Sequence, residues 1–292
     1  MLRKLIRRTK KFSHSEHFAK EPSVKIGRQT DPNSAICTSN AQTIVVRGQD
    51  LTKDLLGNLS FTDYFWLLLT GQRATAAQRG MLDATLVAIA EHGLVPSVVA
   101  SRMTLAAAPE ALQGAVAAGI LGCGSVILGS AEAAGRLMTE ILARAGSGGD
   151  LAAATRAVVG EYRAAKRPIP GYGHPQHKGE DPRATRLIAV ARELGVAGRT
   201  IETALTLDAL LPELTGKPLR INVSGAIPAV LLDAGFPVGA LKGVPILART
   251  AGLIAHLLEE QQRSIGFVMG HAAASAIGYD GTVPDGFVAE GT

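Results

Sequence analysis

From about residue 60 onward the apolar positions recur at helical rather than strand spacing. Phe61, Phe65, Leu68 and Leu69 follow Ser60, which stands where an N-cap would, with Asp63 at the third helical position. Leu82, Leu86, Ile89 and Ala90 repeat the spacing up to His92-Gly93, where glycine can end a helix. The uncharged, Ala/Gly-rich stretch Ala111 to Gly124 predicts a buried helix on which others pack closely, and Glu132 to Ala145 predicts another. The same pattern covers 151–165, 184–194, 200–211, 227–234 and 246–262, with Pro212 and Pro218 expected to break the helix that starts at Thr200. Only Ile44-Val45-Val46-Arg47-Gly48 reads as a strand or edge segment. No fixed-period repeat interrupts this order, so the expectation is an all-α protein. Gly146-Ser147-Gly148-Gly149 is the best candidate for a hinge.

Composition supports that class. A chain of 292 residues can bury a large core in one or two domains, and 4% aromatics with abundant Ala, Leu and Gly suits helices packed through small residues. Cys37 and Cys123 are too few and too far apart for a disulfide framework or zinc knuckle, which points to a cytoplasmic setting with reduced thiols. No uninterrupted apolar run approaches the roughly 18 residues of a membrane span. Charge is uneven: residues 1–30 hold nine Lys/Arg against two Glu, whereas the whole chain is only +5. The basic excess therefore belongs to 1–30, expected to be a mobile solvated tail. The other reading is a short amphipathic helix, built on Leu2, Leu5 and Ile6, for an anionic membrane or nucleic acid.

The densest chemistry lies in Pro168 to Arg183, which carries His174, His177, Lys178, Glu180, Asp181 and Arg183 between helical segments. Gly171 and Gly173 allow close approach of a ligand to the backbone, and Pro168, Pro170, Pro175 and Pro182 stiffen the loop. A rigid loop presenting imidazole and cations suits a substrate bearing carboxylate or phosphate. The plain alternative is a Pro/Gly connection with solvated charges. His174 and His177 also have the spacing of half a metal site, but no second pair completes a shell, so no metal is expected. His92, alone at a helix end, reads more readily as a cap or core residue than as a catalyst. Arg183 reads as a surface residue starting a helix.

Several segments in order resemble the citrate synthase superfamily. The loop Pro170-Gly171-Tyr172-Gly173-His174 followed by Asp181-Pro182-Arg183 resembles its catalytic-His loop. Asn58 to Gly71 resembles its early helix, Ala90-Glu91-His92-Gly93 its first His motif, Arg220 to Gly225 its N-V-D segment, and Arg249 to His256 its late helix. Length and the A-x-H-G form are most similar to the short citryl-CoA lyase branch and the citryl-CoA lyase module of ATP-citrate lyase. The resemblance implies a large helical domain (31–146 and 223–292) with a small one inserted at 147–222, and a homodimer or higher homo-oligomer. It implies that His92 and His174 bind the oxygens of a 2-oxo acid or citryl group, and that Arg183, with Asn222, serves the substrate. Coenzyme A would lie on Gly171, Tyr172, Gly173 and Lys178.

The departures from that pattern fall on the chemistry. Where the family carries the Asp that removes a proton from the acyl carbon, this chain has Ser224, and a neutral hydroxyl is a far poorer proton acceptor. Leu128 stands where synthases carry a further His, a loss that the lyase branch shares. Pro175 replaces an Arg common in the lyase module. The expected function is citryl-CoA lyase-like cleavage, or the reverse condensation, between an acyl-CoA and a 2-oxo acid. The alternative is a catalytically retired homologue that binds CoA or a carboxylate and regulates a partner. A nucleic-acid or membrane role led by the basic segment ranks last.

Overall fold

The computed structural model describes residues 32–124, 128–173 and 179–287. Met1–Ala35 forms a unit of its own, nearly all of it outside the described residues, so the expected basic tail is not described. Ile36–Thr292 forms the second unit and holds all of the described strands and helices.

Three short strands open it: β1 (Cys37–Ser39), β2 (Ile44–Val46) and β3 (Gln49–Asp50), paired antiparallel in the order β1-β2-β3. Val46 faces Gln49 across the two-residue turn Arg47-Gly48, and both turn residues have positive φ, the backbone such tight hairpins need. The Arg47 side chain donates to the Leu68 carbonyl at 2.9 and 2.6 Å and fastens the sheet to the first long helix.

Eleven α-helices are described: α1 (Phe61–Thr70), α2 (Ala76–Ala90), α3 (Pro96–Ala107), α4 (Leu112–Leu121), α5 (Gly129–Ala145), α6 (Leu151–Ala164), α7 (Pro182–Glu193), α8 (Arg199–Thr215), α9 (Val223–Asp233), α10 (Gly243–Gln262) and α11 (Gly266–Ala276). Ser60 and Asp63 form the reciprocal capping box that their spacing predicts, and Thr75 and Gln78 form a second one on α2. The protein is all-α apart from the small sheet. Its main core surrounds α9, whose Ala226, Ile227, Ala229, Val230 and Leu231 are buried together with Trp66, Met81 and Leu82. A second cluster joins α5, α6 and α8 through Leu137, Ile141, Val158, Val159, Leu207 and Leu211.

Several expectations are corrected. α8 runs through Pro212 to Thr215, because a proline in the last turn forfeits only one backbone bond, to the Asp208 carbonyl. α9 begins at Val223, not at 227, because Asn222 caps it, and it tolerates Pro228 in its interior. α3 and α11 are additional helices. The inward face of α3 carries Ser97, Ser101 and Arg102 beside Val98 and Leu105, which hides the apolar stripe. α11 buries only Gly266 and leaves Phe267 and Val268 exposed, so it has no inward apolar stripe to read.

The expected burial of Ala111 to Gly124 also fails in part. Within α4 only Ala115 and Gly119 are buried, and Leu112 and Leu121 are exposed. Among the described residues, Val238–Gln262 is long and apolar enough to cross a membrane, with mean hydropathy 1.3. In this fold its inner face, Val244, Ala248, Leu253 and Leu257, is buried as α10 packs on α2, α3 and α4.

Candidate active site

The segment ahead of His174 is clamped to the start of α9. Tyr172 pairs antiparallel with Ile221, the Gly173 amide donates to the Arg220 carbonyl at 2.7 Å, and the Asn222 amide donates to the Gly171 carbonyl at 3.0 Å. The Asn222 side chain closes the clamp from both ends: its Nδ2 donates to the Gly173 carbonyl and its Oδ1 accepts from the Gly225 amide at 3.2 Å. Gly171 has φ +84, and a Cβ there would lie 2.7 Å from the Gly225 Cα, so two backbones touch where any side chain would separate them. The Gly171–Gly173 loop and the first turn of α9, which carries Ser224, are thereby one rigid unit.

Two buried carboxylates hold that unit from behind. Asp181, 2% exposed, caps α7: its Oδ2 accepts from the Val223 amide at 2.9 Å and from Arg183 NH2 at 2.9 Å, and its Oδ1 accepts from the Arg183 Nε at 3.0 Å. Burial pushes the Asp181 carboxyl upward, but the Arg183 guanidinium and the Val223 amide outweigh it and hold it below the usual range. Asp208 accepts from the Ile221 amide at 2.6 Å and from the Arg220 Nε at 3.0 Å. Outside this clamp α7 and α8 enclose a recess of about 200 Å3 walled in part by Arg192, Asp208 and Arg220.

The candidate residues that lie within the described structure can now be placed. Asn222, Gly171, Gly173, Arg183 and Ser224 come together around the clamp. Arg183 is half-buried and its Nε and NH2 are already engaged by Asp181, which leaves NH1 as the nitrogen with no bond among the described residues, and no longer a free two-pronged fork. Tyr172 is 7% exposed, and its hydroxyl donates to the Ala204 carbonyl at 2.8 Å. Burial pushes the phenol well above its ordinary pKa, so Tyr172 anchors the loop to α8, and the loop offers a cofactor backbone here, not this side chain. Ser224 is half-buried, and neither its amide nor its hydroxyl bonds a described residue. Pro228 has no N–H, so the Ser224 carbonyl also lacks its usual helical donor. His174, His177 and Lys178 lie outside the described residues.

His92 follows α2, which ends at Ala90 with Glu91 as its C-cap, two residues earlier than the glycine suggests. The helix α10 crosses here at backbone contact distance: a Cβ on Gly252 would overlap the Ala90 carbonyl oxygen and lie 3.1 Å from Glu91 Oε2. One turn earlier on the inward face of α10 stands Arg249, 4% exposed, whose Nε and NH1 have no hydrogen-bond partner among the described residues. A buried guanidinium with unmet donors is costly, and an anionic ligand would meet them. Arg249 is not among the site residues expected from the sequence. It nevertheless falls on the stripe Val244, Ala248, Gly252, Leu253, Leu257, where a charge calls for an explanation. Among the described residues no group of three or more His, Cys, Asp or Glu could hold a metal ion.

With this geometry established, comparison with known proteins places the chain. Residues 1–266 match the family model "Citrate synthase, C-terminal domain". The citryl-CoA lyase from Hydrogenobacter thermophilus superposes with a TM-score of 0.76 at 33% identity, over 88% of this chain and 97% of that one. The ATP citrate lyase from Methanothrix soehngenii, solved in complex with citrate and coenzyme A, superposes with a TM-score of 0.68 at 22% identity, over 89% of this chain and 43% of that one. The citrate synthase of Heyndrickxia coagulans is 25% identical over 72% of this chain and 54% of its own. The chain spans about half the length of the curated relatives it matches. A helical fold with this loop clamped to this helix start, and a family match across nine-tenths of its length, make the chain a member of the citrate synthase family.

Proposed function

We propose that the protein acts on a coenzyme A thioester and a 2-oxo acid, cleaving or forming the carbon–carbon bond between them in the manner of a citryl-CoA lyase. The observation that carries this reading is Arg249, a buried cation with unmet N–H donors on the helix that crosses the end of α2 beside His92. In the cleavage direction a base takes the proton of the tertiary hydroxyl as the adjacent C–C bond breaks. The bonding pair passes to the thioester as an enolate, and a proton is then added to its carbon. His92 and His174 would hold the oxygens that change charge, where fixed donors act most strongly. Arg249 and the open NH1 of Arg183 would take the carboxylates. The backbone of Gly171–Gly173, with Lys178, would receive the coenzyme. On this reading the small domain at 147–222 closes on the larger one. The exposed apolar residues of α4, α10 and α11, such as Leu121, Ile254, Leu258 and Phe267, would be covered by a second copy.

Ser224 supports a second reading, a retired homologue that binds the same ligands without turning them over. Deuterium loss from labelled acetyl-CoA, together with release of oxaloacetate from citryl-CoA, separates the two. An enzyme limited by its missing carboxylate should exchange slowly, and Ser224→Asp should raise exchange by roughly 10²- to 10⁴-fold. Fast wild-type exchange that survives Ser224→Ala would remove Ser224 from the mechanism. Ligand binding with no cleavage and no exchange in either protein would favour the retired homologue.

A further inference from the structure

Behind His92 lies a chain of polar groups that the proposed chemistry does not use. It starts at Arg102 on α3, a side chain 1% exposed. Its Nε donates to Glu260 at 2.6 Å, its NH1 to Glu259 at 2.7 Å and its NH2 to the Arg263 carbonyl at 3.3 Å. Arg102 NH1 also lies 3.2 Å from Nδ1 of His256. The other nitrogen of that ring, Nε2, lies 3.0 Å from Glu91 Oε2. The second oxygen of Glu91 accepts the backbone amides of His92 at 2.8 Å and Gly93 at 2.5 Å.

The chemistry of these groups fixes the direction of every bond. Arginine has donors only, so Nδ1 of His256 must accept. The ring is then the neutral Nε2–H tautomer, and Nε2–H donates to Glu91. The contact is a hydrogen bond from an uncharged imidazole to a carboxylate rather than an ion pair, since an imidazolium would turn an N–H against the arginine. The groups that face His256 are Arg102 from α3, Glu91 from the end of α2, and Glu259 from α10 itself. Glu91, the next member, is about half exposed. Burial pushes its carboxyl upward, but His256 and the two amides outweigh this and keep it below the usual range, so it is ionised and able to accept all three.

The amides it grips belong to the turn that carries His92. Residues 92–95 lie between α2 and α3 and belong to neither helix. Within this stretch Gly93 has positive φ. Gly252 allows α10 to approach closely enough for the imidazole to reach.

We propose that Glu91 and His256 are positioning residues for His92, linked through a one-way hydrogen-bond relay from the buried Arg102 to the His92–Gly93 turn. Neither touches the substrate. The inference rests on the reading of His92 as a ligand-binding residue, but the relay can be measured separately.

The test uses the full-length protein and four variants: Glu91→Gln, Glu91→Ala, His256→Leu and His256→Gln. Glu91→Gln keeps an oxygen for the amides but turns an NH2 against Nε2–H, and the ring cannot switch tautomer while Arg102 donates to its other side. His256→Gln can restore both an acceptor toward Arg102 and a donor toward Glu91. Two NMR measurements report on the relay: the tautomer of His256 from imidazole 15N shifts, and amide exchange at His92 and Gly93. Calorimetric titration with oxaloacetate reports on the site.

The expected result is an Nε2–H tautomer in the wild type. Exchange at the two amides should be about 10-fold faster or more in Glu91→Gln, Glu91→Ala and His256→Leu, with global melting little changed and His256→Gln close to the wild type. Oxaloacetate binding should weaken by about 10-fold or more in the same three variants, the scale on which slight misplacement of a binding group is felt. A proton on Nδ1, or unchanged exchange at both amides in Glu91→Ala and His256→Leu, would overturn the relay. A wild type that fails to bind oxaloacetate while the tautomer and exchange results hold would instead count against the functional reading.

Discussion

Glu260 should be among the carboxylates most important to acid stability. Its side chain is 2% exposed, and it accepts from Arg102 Nε at 2.6 Å, Ser264 Oγ at 2.7 Å, the Gly266 amide at 2.8 Å and the Ile265 amide at 3.0 Å. It thereby joins α3, the end of α10 and the start of α11 in one knot. Burial pushes its carboxyl upward, but the donors from Ser264, Arg102, Gly266 and Ile265 prevail and pull it from 4.5 to about 2. A drop of that size from 4.5 to about 2 is worth about 3 kcal/mol of folding stability. Because the folded value is the lower one, this contribution is complete above pH 4.5 and is lost as pH falls toward 2.

Glu260→Gln removes the charge and keeps the shape. It leaves Arg102 buried with only Glu259 as an anionic partner, a carboxylate that is 48% exposed. Breaking one side of a buried pair costs about 3–5 kcal/mol, and the remaining Glu259 contact argues for the lower end. Urea unfolding of both proteins at steps from pH 7 to pH 2.5 measures the difference directly. Carboxylates outside the Arg102 cluster titrate alike in the two proteins and cancel. A gap of about 3 kcal/mol at pH 7 that closes below pH 4.5 is expected. A gap that stays constant across that range, or one below about 1 kcal/mol at pH 7, would refute the assignment of stability to this charge.

Asn222→Ala removes both the cap of α9 and the bond to the Gly173 carbonyl; thermal melts should show a loss of about 1–2 kcal/mol, and oxaloacetate affinity should fall with it. Gly171→Ala forces a Cβ into the Gly225 backbone at an unfavourable φ; it should destabilise by about 1–3 kcal/mol and reduce ligand affinity, read by melting and calorimetry on one preparation. Arg249→Met should leave the unliganded protein as stable or raise its melting temperature, because it removes a buried cation with unmet donors, while citrate and oxaloacetate binding fall about 10-fold or more.

The sequence carries local information well and pairings poorly. Ser60 with Asp63 and Thr75 with Gln78 sit three residues apart, so their caps are legible as spacing alone. The chemistry-bearing segments 171–173 and 220–222 are also visible, but nothing in their residue types says that they pair with each other. Arg102 and Glu260 are 158 residues apart, and either alone reads as an ordinary helical surface charge. Tyr172 illustrates the opposite error: a loop rich in ligand-type residues suggests that each faces the ligand, whereas this one turns inward to α8. Arg249 was readable, because a charge at an inward position of an apolar helix stripe breaks the pattern that otherwise defines the helix.

Two arginines are buried in this unit, and their surroundings set them apart. Arg102 meets two carboxylates, an imidazole and a carbonyl, so its charge is answered within the chain and its position is fixed. Arg249 is buried to the same degree, yet two of its nitrogens lack partners among the described residues. Conformational specificity can account for the first, since its partners fix the junction of α3, α10 and α11. It cannot account for the second, because two buried nitrogens that lack partners among the described residues fix nothing there and carry the cost of desolvation. Had Arg249 served packing alone, a methionine of similar length would serve better. Keeping the charge makes physical sense only if something anionic arrives to meet it, and Gly252, one turn away, brings that charge close to the chain segment that carries His92. The same helix therefore holds a satisfied network that fixes its end and an unsatisfied cation near the candidate site, which is the division expected of an element that must be rigid in order to bind.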